Sequence, residues 1–152
     1  VFAEVGPRMT LSPGAMERIA TAKAAGALVG VTSGGFVQLV QPLAERLGLD
    51  FYNANLLETA VVDGVEVLTG KVVGTVVDRE QKGRDLLRFA HEGGIEPQWT
   101  VAVGDGANDL GMFDAAGLSV AYCAKPVTAA AADVAIGFPR LDAVAAFAFP
   151  SF

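Results

Sequence analysis

Three short apolar runs constrain this chain most. Ala27–Val31 (ALVGV), Thr100–Gly104 (TVAVG) and Leu118–Tyr122 (LSVAY) are short, mainly apolar runs bounded by Gly, Ser or Asp, without a regular polar alternation. A strand wet on one face alternates in polarity, so these runs predict strands buried on both faces. Stretches of helical spacing lie between them. One runs from Pro13 to about Ala25, with Ser12 as N-cap and Pro13 at the first helical position. A second, FVQLVQPLAERLG, stops at Gly48, and Pro42 inside it predicts a kink or an early break. A third follows Asp78 as its cap and carries Leu86, Leu87, Phe89 and Ala90 on an apolar side. NDLGMFDAAG and PVTAAAAD read as short helices. Strand and helix in alternation mean a parallel sheet with crossover helices, an α/β fold. Residues 51–74 break the rhythm: Asp63-Gly64 between two β-prone runs predicts a hairpin inserted beside that sheet.

Composition narrows the function classes. The chain has 152 residues, enough for one domain with a real core, and 52% of them are hydrophobic. No apolar run approaches the roughly 20 residues of a membrane span, and the N-terminal residues lack the pattern of a signal peptide. The single cysteine, Cys123, favours a reducing compartment, so the expectation is a cytoplasmic protein without membrane contact. A net charge of −6 argues against nucleic acid as a partner.

The chemistry is concentrated at the ends of two predicted strands. After TVAVG come Asp105, Gly106, Asn108 and Asp109. In open α/β sheets ligands bind at the carboxyl ends of strands. Glycines let the backbone approach closely, and hard oxygen donors in a tight loop suit Mg²⁺. Alone, Asn108 and Asp109 could simply cap the helix that follows. After ALVGV, Ser33 precedes Gly34, Gly35 and a helix, the makings of a phosphate cradle or of ordinary capping. Lys82 opens the third helix and alone reads as a solvated lysine. Together, a strand-end Ser, a Lys and a strand-end Asp suit phosphoryl transfer, which needs positioning and neutralised phosphoryl oxygens.

The segments VTSGGF, LGLDFYNANLLE, LTGKVVG, KG, VAVGDGANDLGMFDAAGLSVAYCAKP and ADVAI, in this order, resemble the C-terminal two-thirds of the phosphoserine phosphatases of the haloacid-dehalogenase-like superfamily. The likeness runs from about Met9 to Phe147, and GDGAND…AKP is its most specific part. It implies a Rossmann-like α/β core and Mg²⁺-dependent hydrolysis of O-phosphoserine, the last step of serine biosynthesis, through an aspartyl-phosphate. It further implies that Ser33, the Gly34 backbone, Lys82 and Asn108 hold the phosphoryl group. Lys82 would offset charge at the nucleophile, Asp105 would bind Mg²⁺, and Asp109 would order the metal site from behind. Residues 1–152 would form a partial core domain, with 1–8 the end of a helical cap.

The same resemblance implies something outside this chain. In that family an Asp-x-Asp-x-Thr motif on a central first strand supplies the nucleophile and the acid that protonates the leaving serine. No such motif occurs here. Asp63, Asp78 and Asp114 read better as a hairpin turn, a helix cap and a helix surface. Cys123 reads as a small buried residue after a strand, and His91 as a helix-end dipole partner. The chain alone is therefore expected to be inactive, with the family's first strand lying between ALVGV and TVAVG. Its partner would be the missing segment or a second copy. Alternatives are a phosphate- or Mg²⁺-binding fragment without turnover, an interaction module, or another phosphatase of the superfamily.

Overall fold

The computed structural model describes residue 6 and residues 9–149. The cap remnant expected at residues 1–8 falls outside these, Gly6 apart. The elements in order are α1 (Ala15–Ala24), β1 (Gly30–Phe36), α2 (Val37–Leu47), β2 (Phe51–Val62), β3 (Val65–Val73), α3 (Arg79–Glu92), β4 (Val101–Gly104), α4 (Leu110–Ala115), β5 (Leu118–Tyr122), α5 (Pro126–Ala129), β6 (Val134–Ile136) and α6 (Ala145–Ala148). Among the described residues no helix is long and apolar enough to cross a membrane.

The strands form two sheets, β1-β2-β3 and β4-β5-β6. Pairing is parallel for β1 with β2, β4 with β5 and β5 with β6; β2 and β3 are antiparallel. This is the α/β architecture expected, with one feature that matters for function. Among the described residues β1 and β4 pair with nothing on their facing edges, and a cavity of about 710 Å³ lies between them.

The core sits on β5. Val120 packs with Ile136 and Val144 on one face, and Ala121 packs with Ala102, Met112 and Phe113 on the other. Val120 and Val144 are wholly buried, each stabilising the fold by about 1.5–3 kcal/mol. Burial on both faces is what the largely apolar run LSVAY predicts; its one hydroxyl, Ser119, is buried and bonded to Asp133.

Several local expectations need correction. The first strand begins at Gly30 rather than Ala27 and extends to Phe36. The reason is Asp50, whose carboxylate accepts the Val29 N–H at 2.8 Å and holds that residue out of the ladder. Helix α1 starts at Ala15, not Pro13, and neither Ser12 nor any other side chain caps it. Its N-cap is Gly14 at φ 82°, pressed against Asp142. Helix α2 runs through Pro42 unbroken to Gly48 at φ 61°, so packing on β1 and β2 outweighs the roughly 3 kcal/mol that an internal proline costs.

The hairpin turns at Asp63 (φ 52°) and Gly64 (φ 78°), the two left-handed residues that a two-residue turn needs. The first half of β2 pairs with β1, and only Leu56–Val62 pairs with β3.

Helices α3 and α4 touch backbone to backbone. A Cβ on Gly111 would meet the Arg79 carbonyl at 2.0 Å, and one on Gly83 would meet the Gly111 carbonyl at 2.7 Å. Only glycines permit that approach. It brings Lys82, beside Gly83, within reach of Asp109, two residues before Gly111.

Candidate active site

The cavity between the half-sheets is polar at one end. Thr32 from β1, Lys82 from α3, and Gly104, Asp105 and Asp109 from β4 and the turn after it line that end. Lys82 and Asp109 are buried, with only 6% and 4% of their surface exposed. Lys82 Nζ donates to Asp109 Oδ1 at 2.6 Å. The other carboxylate oxygen, Oδ2, accepts the backbone N–H of Asp105 at 2.9 Å and of Gly106 at 3.1 Å. One buried anion thus holds both the ammonium and the loop that presents Asp105. Gly104 permits this, because a Cβ there would overlap the Asp109 side chain at 2.4 Å.

Asp105 is exposed, and its carboxylate joins no hydrogen bond among the described residues. It also lines a second hollow of about 340 Å³ beside Tyr122 and Cys123. An unneutralised carboxylate at a cavity mouth fits Mg²⁺, which takes one or two protein carboxylates along with phosphate oxygens and water. Among the described residues no group of three acidic, His or Cys side chains converges on one point.

Ser33 and Gly34 follow Thr32 at the carboxyl end of β1. Ser33 Oγ accepts the Gly35 N–H at 3.0 Å and caps no helix; Phe36 occupies the N-cap of α2 without a side-chain bond. Asn108 is exposed and lies over Gly106, where a Cβ would meet its Oδ1 at 2.8 Å. Asp109 stands at the N-cap of α4, but no side chain makes a capping bond there. The structure thus gathers Lys82, Asp105 and Asp109 on one cavity wall, while Ser33, Gly34 and Asn108 stand outside its lining.

The haloacid dehalogenase-like hydrolase family matches residues 1–114. The chain belongs to that family. Among its relatives is the phosphoserine phosphatase of Streptomyces coelicolor, 52% identical over 144 residues, which are 95% of this chain and 34% of that protein. A probable phosphoserine phosphatase from Vibrio cholerae, solved without ligand, superposes with a TM-score of 0.87 at 43% identity over 96% of this chain and 44% of that one. A phosphoserine phosphatase solved as a phospho-aspartyl intermediate analogue gives 0.86 at 43% identity, over 95% of this chain and 68% of that one. This hydrolase-family chain thus spans about a third of the length of the Streptomyces relative.

Two positions in this family member, Asn55 and Asp85, were not singled out from the sequence. Asn55, 6% exposed, accepts the Val77 N–H at 2.7 Å and donates to the Gly34 carbonyl at 2.9 Å, so it fixes the Ser-Gly-Gly turn from behind. Asp85 is fully buried and accepts from Thr32. Burial pushes its carboxyl up, but hydrogen bonds from Thr32, Asn53, Gln81 and Arg88 outweigh that and hold it below the usual carboxylate range. The alternating Asn53-Ala54-Asn55 in a buried strand start was the available signal, since two amides on one strand face need partners.

One further expectation changes. Cys123 is exposed rather than buried and sits at φ 46°, a conformation costing on the order of 1 kcal/mol in a non-glycine residue.

Proposed function

We propose that this chain is the larger part of the core of a Mg²⁺-dependent phosphoserine phosphatase whose nucleophile lies on a strand outside these residues. The observation that carries the reading is the buried Lys82–Asp109 pair, 2.6 Å long, facing an open slot between two strand edges that pair with nothing among the described residues. A strand parallel to β1 and β4 in that slot would satisfy both edges and bring its carboxyl end beside Lys82 and Asp105. The phospho-aspartyl form of one relative supports a carboxylate nucleophile.

In this reading Ser33 Oγ and the Gly34 N–H bind phosphoryl oxygens, and Asn108 orients them. Lys82 offsets the charge of the attacking carboxylate, and Asp109 fixes Lys82 and the Asp105 loop. Asp105 holds Mg²⁺, which when bound neutralises phosphoryl oxygens and favours attack at phosphorus. The aspartate oxygen bonds to phosphorus as the serine oxygen leaves, protonated by the motif's second aspartate. Water then cleaves the aspartyl-phosphate to phosphate. We extend the reading to a cytoplasmic enzyme on its single cysteine.

The test is phosphate release from O-phosphoserine by the complete protein. Release that chelation abolishes and added Mg²⁺ restores is the expected outcome. Release indifferent to chelation would reject the Mg²⁺ assignment, and absence of release would reject the substrate.

A further inference from the structure

We infer that Asp85 is a positioning residue, which fixes where the Lys82 ammonium stands relative to the Ser33 end of β1. The inference rests on the function proposed above. A fully buried carboxylate costs several kcal/mol unless its oxygens are satisfied, and here four donors satisfy them. Oδ2 accepts Thr32 Oγ1 at 2.6 Å and Asn53 Nδ2 at 2.8 Å; Oδ1 accepts Gln81 Nε2 at 3.0 Å and Arg88 Nη2 at 3.3 Å. Thr32 and Asn53 stand directly opposite each other in the β1–β2 register. One carboxylate oxygen therefore staples helix α3 to two neighbouring strands at the same level.

The placement of that staple carries the inference. Thr32 immediately precedes Ser33. Lys82 lies three residues before Asp85 on α3, hence on the same helix face. From Lys82 the connection continues to Asp109 and on to the backbone of Asp105. Among the described residues the two half-sheets share no strand pairing, so helices link them, and α3 is the one that carries Lys82 between the two halves of the site. The Asp85 network pins it on the β1 side, and Lys82–Asp109 together with the Gly83–Gly111 contact pins it on the β4 side. Released from Thr32, the helix can shift or turn, and Lys82 shifts with it. Displacements near 1 Å in such a site cost up to 10²-fold in rate.

The experiment uses the complete protein with Asp85→Asn and, as the milder variant that folds if the first does not, Thr32→Val. Each is made alone and together with Lys82→Ala. Two quantities are read: kcat and KM for O-phosphoserine, and the ¹⁵Nζ signal of Lys82 in the Lys82-containing variants. The expected result is a fall in kcat of about 10-fold with KM nearly unchanged, a displaced Lys82 signal, and less than a twofold further loss in the Lys82→Ala background. Equal losses in both backgrounds with an unmoved Lys82 signal would overturn the inference, because a merely structural role acts whether or not Lys82 is present. Should the wild-type protein release no phosphate, the proposed function fails, and the Lys82 signal alone decides whether Asp85 sets its position.

Discussion

Lys82→Met in the complete protein is expected to cost about 3–5 kcal/mol of folding stability, the range for breaking a buried ion pair at one partner. It is also expected to lower kcat by on the order of 10²–10³-fold. Methionine keeps most of the side-chain volume, so the loss isolates the charge. What remains is Asp109, 4% exposed, with two backbone N–H groups but no cation. A carboxylate left in that condition strains the loop that presents Asp105. Urea unfolding reads the stability term as a lowered midpoint at constant slope, and rapid-quench kinetics reads the rate of phosphoryl-enzyme formation. Adding Asp109→Asn removes the uncompensated charge and should recover part of the stability without recovering the rate. If Lys82→Met changes the unfolding midpoint negligibly and kcat by less than twofold, the pair is neither structural nor catalytic.

Asp105→Asn separates cleanly from this. The Asp105 carboxylate is exposed and joins no hydrogen bond among the described residues, so stability should move by no more than about 0.5 kcal/mol. Turnover should nevertheless fall on the order of 10³-fold, since the carboxamide gives Mg²⁺ a neutral oxygen in place of an anionic one. The residual activity should require more Mg²⁺ for half-saturation, which a titration of rate against Mg²⁺ measures. A variant with full activity and an unchanged Mg²⁺ requirement would remove Asp105 from the metal site. The contrast between the two substitutions matters more than either alone: one group is buried and built into the fold, the other is exposed and joins no hydrogen bond among the described residues.

The parts of this structure legible in the sequence are those fixed by near neighbours along the chain. TVAVG and LSVAY announce strands because burial on both faces favours short, mainly apolar runs without polar alternation. Asp63-Gly64 announces its turn because few residue pairs accept two left-handed conformations in succession. Asp78 caps α3 as expected, accepting the Gln81 N–H at 2.8 Å. The acidic loop after β4 stands out because its residues fall within five positions.

What the sequence concealed depends on partners far along the chain. Lys82 was singled out for the site, but its burial and its partner show only once α3 and α4 close on their glycines and Asp109, 27 residues away, reaches it. Asp85 looks like an ordinary charge in a helix until Thr32 and Asn53, 53 and 32 residues earlier, converge on it. The start of β1 was misplaced because a side chain, Asp50, replaces a ladder bond there. No hydrophobic period encodes such substitutions. The open slot is different again: it was expected from the family resemblance, not from the pattern of this chain's own residues.

The central claim is that these residues form most of a phosphoryl-transfer site whose nucleophile arrives from outside them. The most direct test is to mix the complete protein with O-phosphoserine and Mg²⁺, quench in acid and locate the acyl phosphate by mass spectrometry. The account predicts a phosphorylated aspartate in a peptide outside these 152 residues. An acyl phosphate on an aspartate or glutamate within them would contradict it.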